Sequence, residues 1–163
     1  MWSFWRKRVR KAQIRGAFGK FISEQGLREI ERRLETPSHE FPPLNKEVIR
    51  YIILQVRDDT SEVVQRHLAQ VLEVLIEHDG IVEVFMSSIV TATFKPTPDT
   101  NKPSLDALVG KLGPDVRAIY GCGEYLRGTY GSQRRFSYGT IFPHIGIKLE
   151  ALLELEFGTS KAI

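Results

Sequence analysis

From residue 48 onward the hydrophobic positions switch between two spacings: unbroken or alternating runs, and recurrences every three to four residues. Val48-Ile49-Arg50-Tyr51-Ile52-Ile53-Leu54-Gln55-Val56 is almost continuously apolar and rich in β-branched residues, which predicts a central strand covered on both faces. A helix is then expected from Thr60 or Ser61, with Val64, Leu68, Val71, Leu72 and Leu75 on one stripe and an end at His78-Asp79-Gly80, glycine being the C-cap. Ile81–Phe85 and Ile89–Phe94 read as strands, and Ser87-Ser88 between them predicts a tight hairpin. A Pro/Thr/Asn loop at Lys95–Pro103 leads to a short helix at Ser104–Leu112. Strands follow at about Val116–Leu126 and Phe136–Ile141, then a helix at about His144–Leu155 and a last strand at Thr159–Ile163. The order β-α-β-β-α-β-β-α-β predicts an α+β fold, a mostly antiparallel sheet with helices on one face.

Ahead of this the pattern is weaker. Phe4, Val9, Ile14 and Phe18 are spaced loosely for a helix face, and Gly16 and Gly19 interrupt them. Ser23 suits the N-cap of a second helix, Glu24–Leu34, with Leu27, Ile30 and Leu34 at helical spacing. The prolines between Thr36 and Pro43 end it. Residues 1–43 are therefore expected to be a basic helical segment with a linker, and residues 44–163 a folded domain. No internal repeat or low-complexity tract interrupts either part.

Charge sharpens that division. The net charge is +3, yet residues 1–23 hold seven Lys/Arg and no acid, which leaves the rest with sixteen basic and twenty acidic residues. No window is long and apolar enough to span a bilayer, and Arg6-Lys7-Arg8 leads into more charge where a signal peptide would have an apolar stretch. A cytoplasmic protein is expected, peripheral at the inner membrane face if the tip binds lipid. The tip itself has Trp2, Phe4 and Trp5 beside Arg6, Lys7, Arg8, Arg10 and Lys11. Three readings stay open for it: packing of its aromatics against a partner protomer, contact with an anionic membrane surface, or stacking on nucleic acid, the least favoured. The single cysteine, Cys122, reads as a small buried strand residue.

The carboxy-terminal half carries a more specific signal. Residues Gly123 to Tyr138 read GEYLRGTYGSQRRFSY and resemble the strand-hairpin-strand of class III adenylate/guanylate cyclases, whose pattern is roughly GEVVVGNIGSxRRxxY. Ala17–Ser23 is similar to the AFGRYVSP segment upstream of many bacterial cyclase domains, and Val48–Thr60 stands in the place of the VLFADIRGFT strand and phosphate loop. His78–Ile89 resembles HGGTVDKFMGDGI. Four landmarks in one order, covering residues 17 to 163, imply the ferredoxin-like nucleotide-cyclase fold in a shortened form. The resemblance also implies dimerisation, because the family builds its sites between two domains.

The same resemblance implies that the chemistry has been lost. The family holds two divalent ions with two aspartates; these positions fall on Gln55 and Ser88, neither of which supplies an anionic oxygen. The purine-reading lysine falls on Val84 and its Asp/Thr partner on Gly139. The ribose-orienting asparagine falls on Gly146, and the transition-state arginine on Glu150, which reverses the charge. The Gly-Phe of the phosphate loop has become Asp58-Asp59, where two carboxylates would repel a triphosphate. Mammalian membrane cyclases divide these residues between two halves; this chain has neither set.

Plainer readings account for the remaining polar residues. His67, His78 and His144 lack ligand-spaced partners and are expected to face solvent or cap helices. Asp58-Asp59 also suits the flank of a helix N-terminus, and Arg134-Arg135 suits a surface pair. The function expected is that of an inactive cyclase homologue, a dimerising or regulatory module without cofactor, paired with itself or with another cyclase-like domain. The alternatives are a cyclase active through unusual residues or a complementary subunit, and a membrane-surface adaptor using the fold as a scaffold.

Overall fold

The structure, a computed structural model, describes residue 28 and residues 44–58, 60–95, 104–131 and 136–163. The readings made for residues 1–43, for the loop at 96–103, for Asp59 and for Arg134-Arg135 fall outside these, except that Arg28 is helical. The elements are β1 (Asn45–Val56), α1 (Ser61–Glu77), β2 (Ile81–Met86), β3 (Ile89–Phe94), α2 (Leu105–Val109), β4 (Val116–Gly131), β5 (Phe136–Ile141), α3 (Ile145–Leu153) and β6 (Ser160–Ala162). They match the expected order. The sheet runs β2-β3-β1-β4-β5, and β6 pairs in parallel with β4; the other pairings are antiparallel.

β1 is central because its sequence allows both faces to be buried. Ile52, Ile53, Leu54 and Val56 are all 0% exposed, and successive strand residues point to opposite sides. Ile52, Leu54 and Val56 meet Leu68, Val71 and Leu75 of α1 and Leu105, Leu108 and Val109 of α2. On the other side Tyr51 and Ile53 pack with Ile119 of β4 and Leu152 of α3. The pattern predicts helices on one face only; α1 and α2 do share one, but α3 covers the opposite one, because β1 is apolar on that side too. Each full burial of a Val, Leu or Ile contributes about 1.5–3 kcal/mol, so this middle layer holds both helix layers in place.

Two local expectations need correction. The left-handed residue ending α1 is Asp79, with φ of 60°, and the C-cap is His78. Gly80 is required for space: a Cβ there would lie 2.6 Å from the Leu75 carbonyl oxygen and 2.8 Å from the Phe94 ring. Cys122 is exposed. It pairs on β1 with Arg50, a charged residue and not a core member, so alternation alone does not bury it.

Candidate functional site

Strand register assembles the first group of polar side chains. Gln55 lies opposite Ile89 on β3 and opposite Arg117 on β4, and Ser88 in the β2–β3 turn precedes Ile89. The Ser88 carbonyl accepts the Val56 N–H at 2.9 Å, which fixes the turn against the end of β1. The Gln55 amide then donates from Nε2 to Ser88 Oγ at 3.2 Å. Its Oε1 accepts from Arg117 Nε at 2.9 Å and from Nη2 at 2.6 Å. An arginine has donors only, so this contact sets which way the glutamine amide points.

Nη1 of the same guanidinium donates to the Leu153 and Leu155 carbonyls at 2.7 and 2.8 Å. Those oxygens close the carboxyl end of α3, where a cation is favoured by the helix dipole. Phe157 lies against the plane, 4.7 Å from ring centroid to guanidinium carbon, with Arg57 at 4.8 Å from the same ring. Arg57 pairs with Asp115 at 3.1 Å. Arg117 is therefore held by three neutral oxygens and an aromatic face at the spot where Gln55 and Ser88 meet.

A second group joins the two ends of the sheet order. Glu83 of β2 accepts at Oε2 from the Thr140 N–H (2.6 Å) and at Oε1 from the Thr140 hydroxyl (2.7 Å) on β5. Oε1 also accepts from the Thr93 hydroxyl at 2.6 Å and from Arg127 Nη2 at 2.8 Å. Arg127 Nη2 donates to Thr93 as well, at 2.7 Å. The Glu83 and Arg127 side chains are 4% and 3% exposed, and Arg127 Nε is buried without a partner. Glu83 reaches this position because the β2–β3 register shifts between Val82 and Val84, a bulge that re-aims the side chain.

A third group lies under α3. The rings of Tyr51, Tyr125 and Phe142 contact one another at 5.1–5.6 Å. Lys148 of α3 donates to the Tyr51 hydroxyl at 2.6 Å. Burial raises the pKa of both Tyr51 and Tyr125 above the ordinary 10.0. Gly121 is required beside them, since a Cβ would lie 2.2 Å from the Ile163 carbonyl oxygen and 2.9 Å from the Tyr51 hydroxyl.

No family model matches the sequence, and no curated protein matches it. Solved structures do match. The fold is similar to the guanylyl cyclase Cya2 at TM-score 0.50 and 13% identity, over 72% of this chain and 75% of that one. It is similar to the adenylyl cyclase CyaB from P. aeruginosa at 0.52 and 11%, over 72% and 77%. A bacterial light-regulated adenylyl cyclase matches at 0.61 and 11%, over 93% of this chain and 51% of its own length.

The chain has the class III nucleotide-cyclase fold. Within this cyclase-like domain the positions singled out from the sequence fare differently. Gln55 and Ser88 are brought into contact. They are a poor fit for a divalent cation: neither offers a carboxylate, the anionic ligand such ions favour, and Gln55 Oε1 already accepts twice from a guanidinium while Ser88 Oγ accepts from Gln55 Nε2. Among the described residues no group of three His, Cys, Asp or Glu is placed to hold a metal. Val84 stands on β2 and Gly139, buried, on β5; the contact between those strands runs through their neighbours Glu83 and Thr140. Gly146 and Glu150 are exposed on α3, and nothing lies within 4 Å of where a Gly146 Cβ would be. Asp58 is exposed.

The histidines resolve into local roles. His78 is the α1 C-cap and lies 3.2 Å from Lys111 Nζ, and His144 is the α3 N-cap. His67 departs from the expected solvent-facing role, being half-buried 3.8 Å from Asp115. Sequence reasoning missed Arg117, Glu83, Arg127 and Thr140. The signal present was charge inside strand-like runs, VRAIY, IVEVF and EYLRG, which is where buried pairs arise.

Proposed function

We propose that this cyclase-like chain is a catalytically inactive homologue that works by association, as a dimerising or regulatory signalling module. The observation that carries this reading is the direct hydrogen bond between Gln55 and Ser88, with Arg117 doubly bonded to Gln55. A fixed cation takes the acceptor on which metal-assisted activation of a ribose hydroxyl would depend. Gly146 and Glu150 add to it, because neither orients a ribose nor stabilises negative charge on phosphorus. The described helices include none long and apolar enough to cross a membrane.

Association is supported by apolar surface that the fold leaves uncovered. On α3, Ile147 is 65% and Leu153 52% exposed, and Leu126 and Ile141 are exposed neighbours on the β4–β5 hairpin. The partner fitting this reading is a second cyclase-like domain, either another copy or a related chain. The test is incubation of the purified protein with ATP or GTP and Mn²⁺, with sedimentation of the same sample. No cyclic nucleotide and a concentration-dependent dimer are expected. Turnover above a matched blank, abolished by Gln55→Ala, would overturn the inactive reading. A strict monomer would overturn association with itself.

A further inference from the structure

We infer that Arg117 is a built-in replacement for a bound cation, and that it holds α3 and the β2–β3 turn in one arrangement with no ligand present. The inference rests on the proposed function in one respect, that Gln55 and Ser88 hold no metal. Two segments distant in sequence converge on the guanidinium carried by β4. Gln55 of β1 contributes its side-chain oxygen, with Ser88 of the β2–β3 turn bonded behind it, while Leu153 and Leu155 contribute the carbonyls that close α3. All three oxygens are neutral and none is a carboxylate, so the group offers a cation a set of carbonyl dipoles with an aromatic wall at Phe157.

This half-buried arginine differs from the buried one, Arg127. The pair Arg127–Glu83 neutralises itself, whereas the oxygens around Arg117 are neutral and gain from any cation of suitable shape. Removing the side chain leaves four hydrogen bonds unmade and three oxygens converging where the cation stood. A planar cation with several donors would refill it. The consequence is that α3 is fixed by the chain itself, so the surface carrying Ile147 and Leu153 is presented permanently and not on binding of metal or nucleotide.

The experiment uses the full chain as wild type, Arg117→Ala and Arg117→Lys. Hydrogen exchange of the amides of residues 145–155 and the melting temperature are read with and without methylguanidinium chloride, kept well below denaturing concentrations and matched with sodium chloride. In the Ala variant these amides should exchange about tenfold faster or more, and methylguanidinium should reverse much of the change where sodium does not. Lysine should restore only part, since it lacks the planar fork. Wild-type exchange should be the same with EDTA and with Mn²⁺.

Unchanged exchange in the Ala variant, or loss that methylguanidinium does not reverse, overturns the inference. If the Ala variant does not fold, Gln55→Ala in an intact Arg117 background carries the test, because exchange at 145–155 must still rise when the acceptor is lost. Slowing of wild-type exchange by Mn²⁺ also overturns it. An inactive chain without rescue leaves the proposed function standing, and an active chain with rescue removes that function while leaving Arg117 as the positioning residue.

Discussion

Glu83 and Thr140 belong to strands at opposite ends of the sheet order, and yet the Glu83 carboxylate accepts both the backbone N–H and the hydroxyl of Thr140, at 2.6 and 2.7 Å. The sheet curls far enough for one edge to satisfy a donor of the other. An unpaired edge N–H invites pairing with another strand, and here that donor is closed off from within. Arg127 supplies the countercharge that makes a buried carboxylate tolerable.

Changing Glu83 to Gln keeps the side chain's size and leaves the Arg127 charge buried without its ionic partner. Breaking one side of such a pair costs about 3–5 kcal/mol, which should lower the urea midpoint markedly. The double change Glu83→Met with Arg127→Met should recover only part of the loss, because it removes the unpaired charge but leaves the Thr140 N–H and the Thr93 and Thr140 hydroxyls without their acceptor. Equilibrium unfolding of wild type and the two variants measures this, and a Gln variant as stable as wild type would show that the Glu83–Arg127 pair does not hold the two edges together.

Ile147→Glu and Leu153→Glu should weaken self-association without unfolding the protein. Both side chains are more than half exposed, so their substitution costs folding within about 0.5 kcal/mol. At an interface the same charge would be desolvated and unpaired. Sedimentation at matched concentrations should show a shift towards monomer with an unchanged melting temperature. Association that tolerates both changes would place the contact elsewhere.

Stability should fall at alkaline pH because of Tyr51 and Tyr125. Burial raises both pKa values above 10.0, so the folded state holds these protons more tightly than the unfolded state. The stabilisation is complete below pH 10 and is lost as pH rises through the folded values. A pH series of melting temperatures checks it. Tyr51→Phe, which keeps the ring and removes the ionisable hydroxyl, should flatten the decline, and a variant with the same alkaline slope would assign the effect to other groups.

The basic tip should bind anionic membranes weakly. Five cations contribute roughly 1 kcal/mol each near a charged leaflet, and Trp2, Phe4 and Trp5 can insert at headgroup depth. Co-sedimentation with phosphatidylserine vesicles should fall as the Debye length shrinks from about 8 Å to about 3 Å at 1 M salt. A version lacking residues 1–11 should not bind. Equal binding by both versions would exclude the tip as the membrane contact.

The sequence by itself determined the succession of elements, because strand and helix periods are local properties of β-branched runs and of the Val64–Leu75 stripe. It also determined that neutral side chains, Gln55 and Ser88, stand at the two positions where the resemblance calls for aspartates. Only the tertiary structure decided what those residues do. Arg117 reaches Gln55 through a register joining residues sixty-two apart in the chain, and such a pairing is fixed by turns and burial far from either residue. Glu83 is turned towards Thr140 by a bulge that alternation does not foresee. The placement of α3 on the face opposite α1 and α2 follows from which side of β1 lacked cover; β1 is apolar on both sides, so its sequence permitted either.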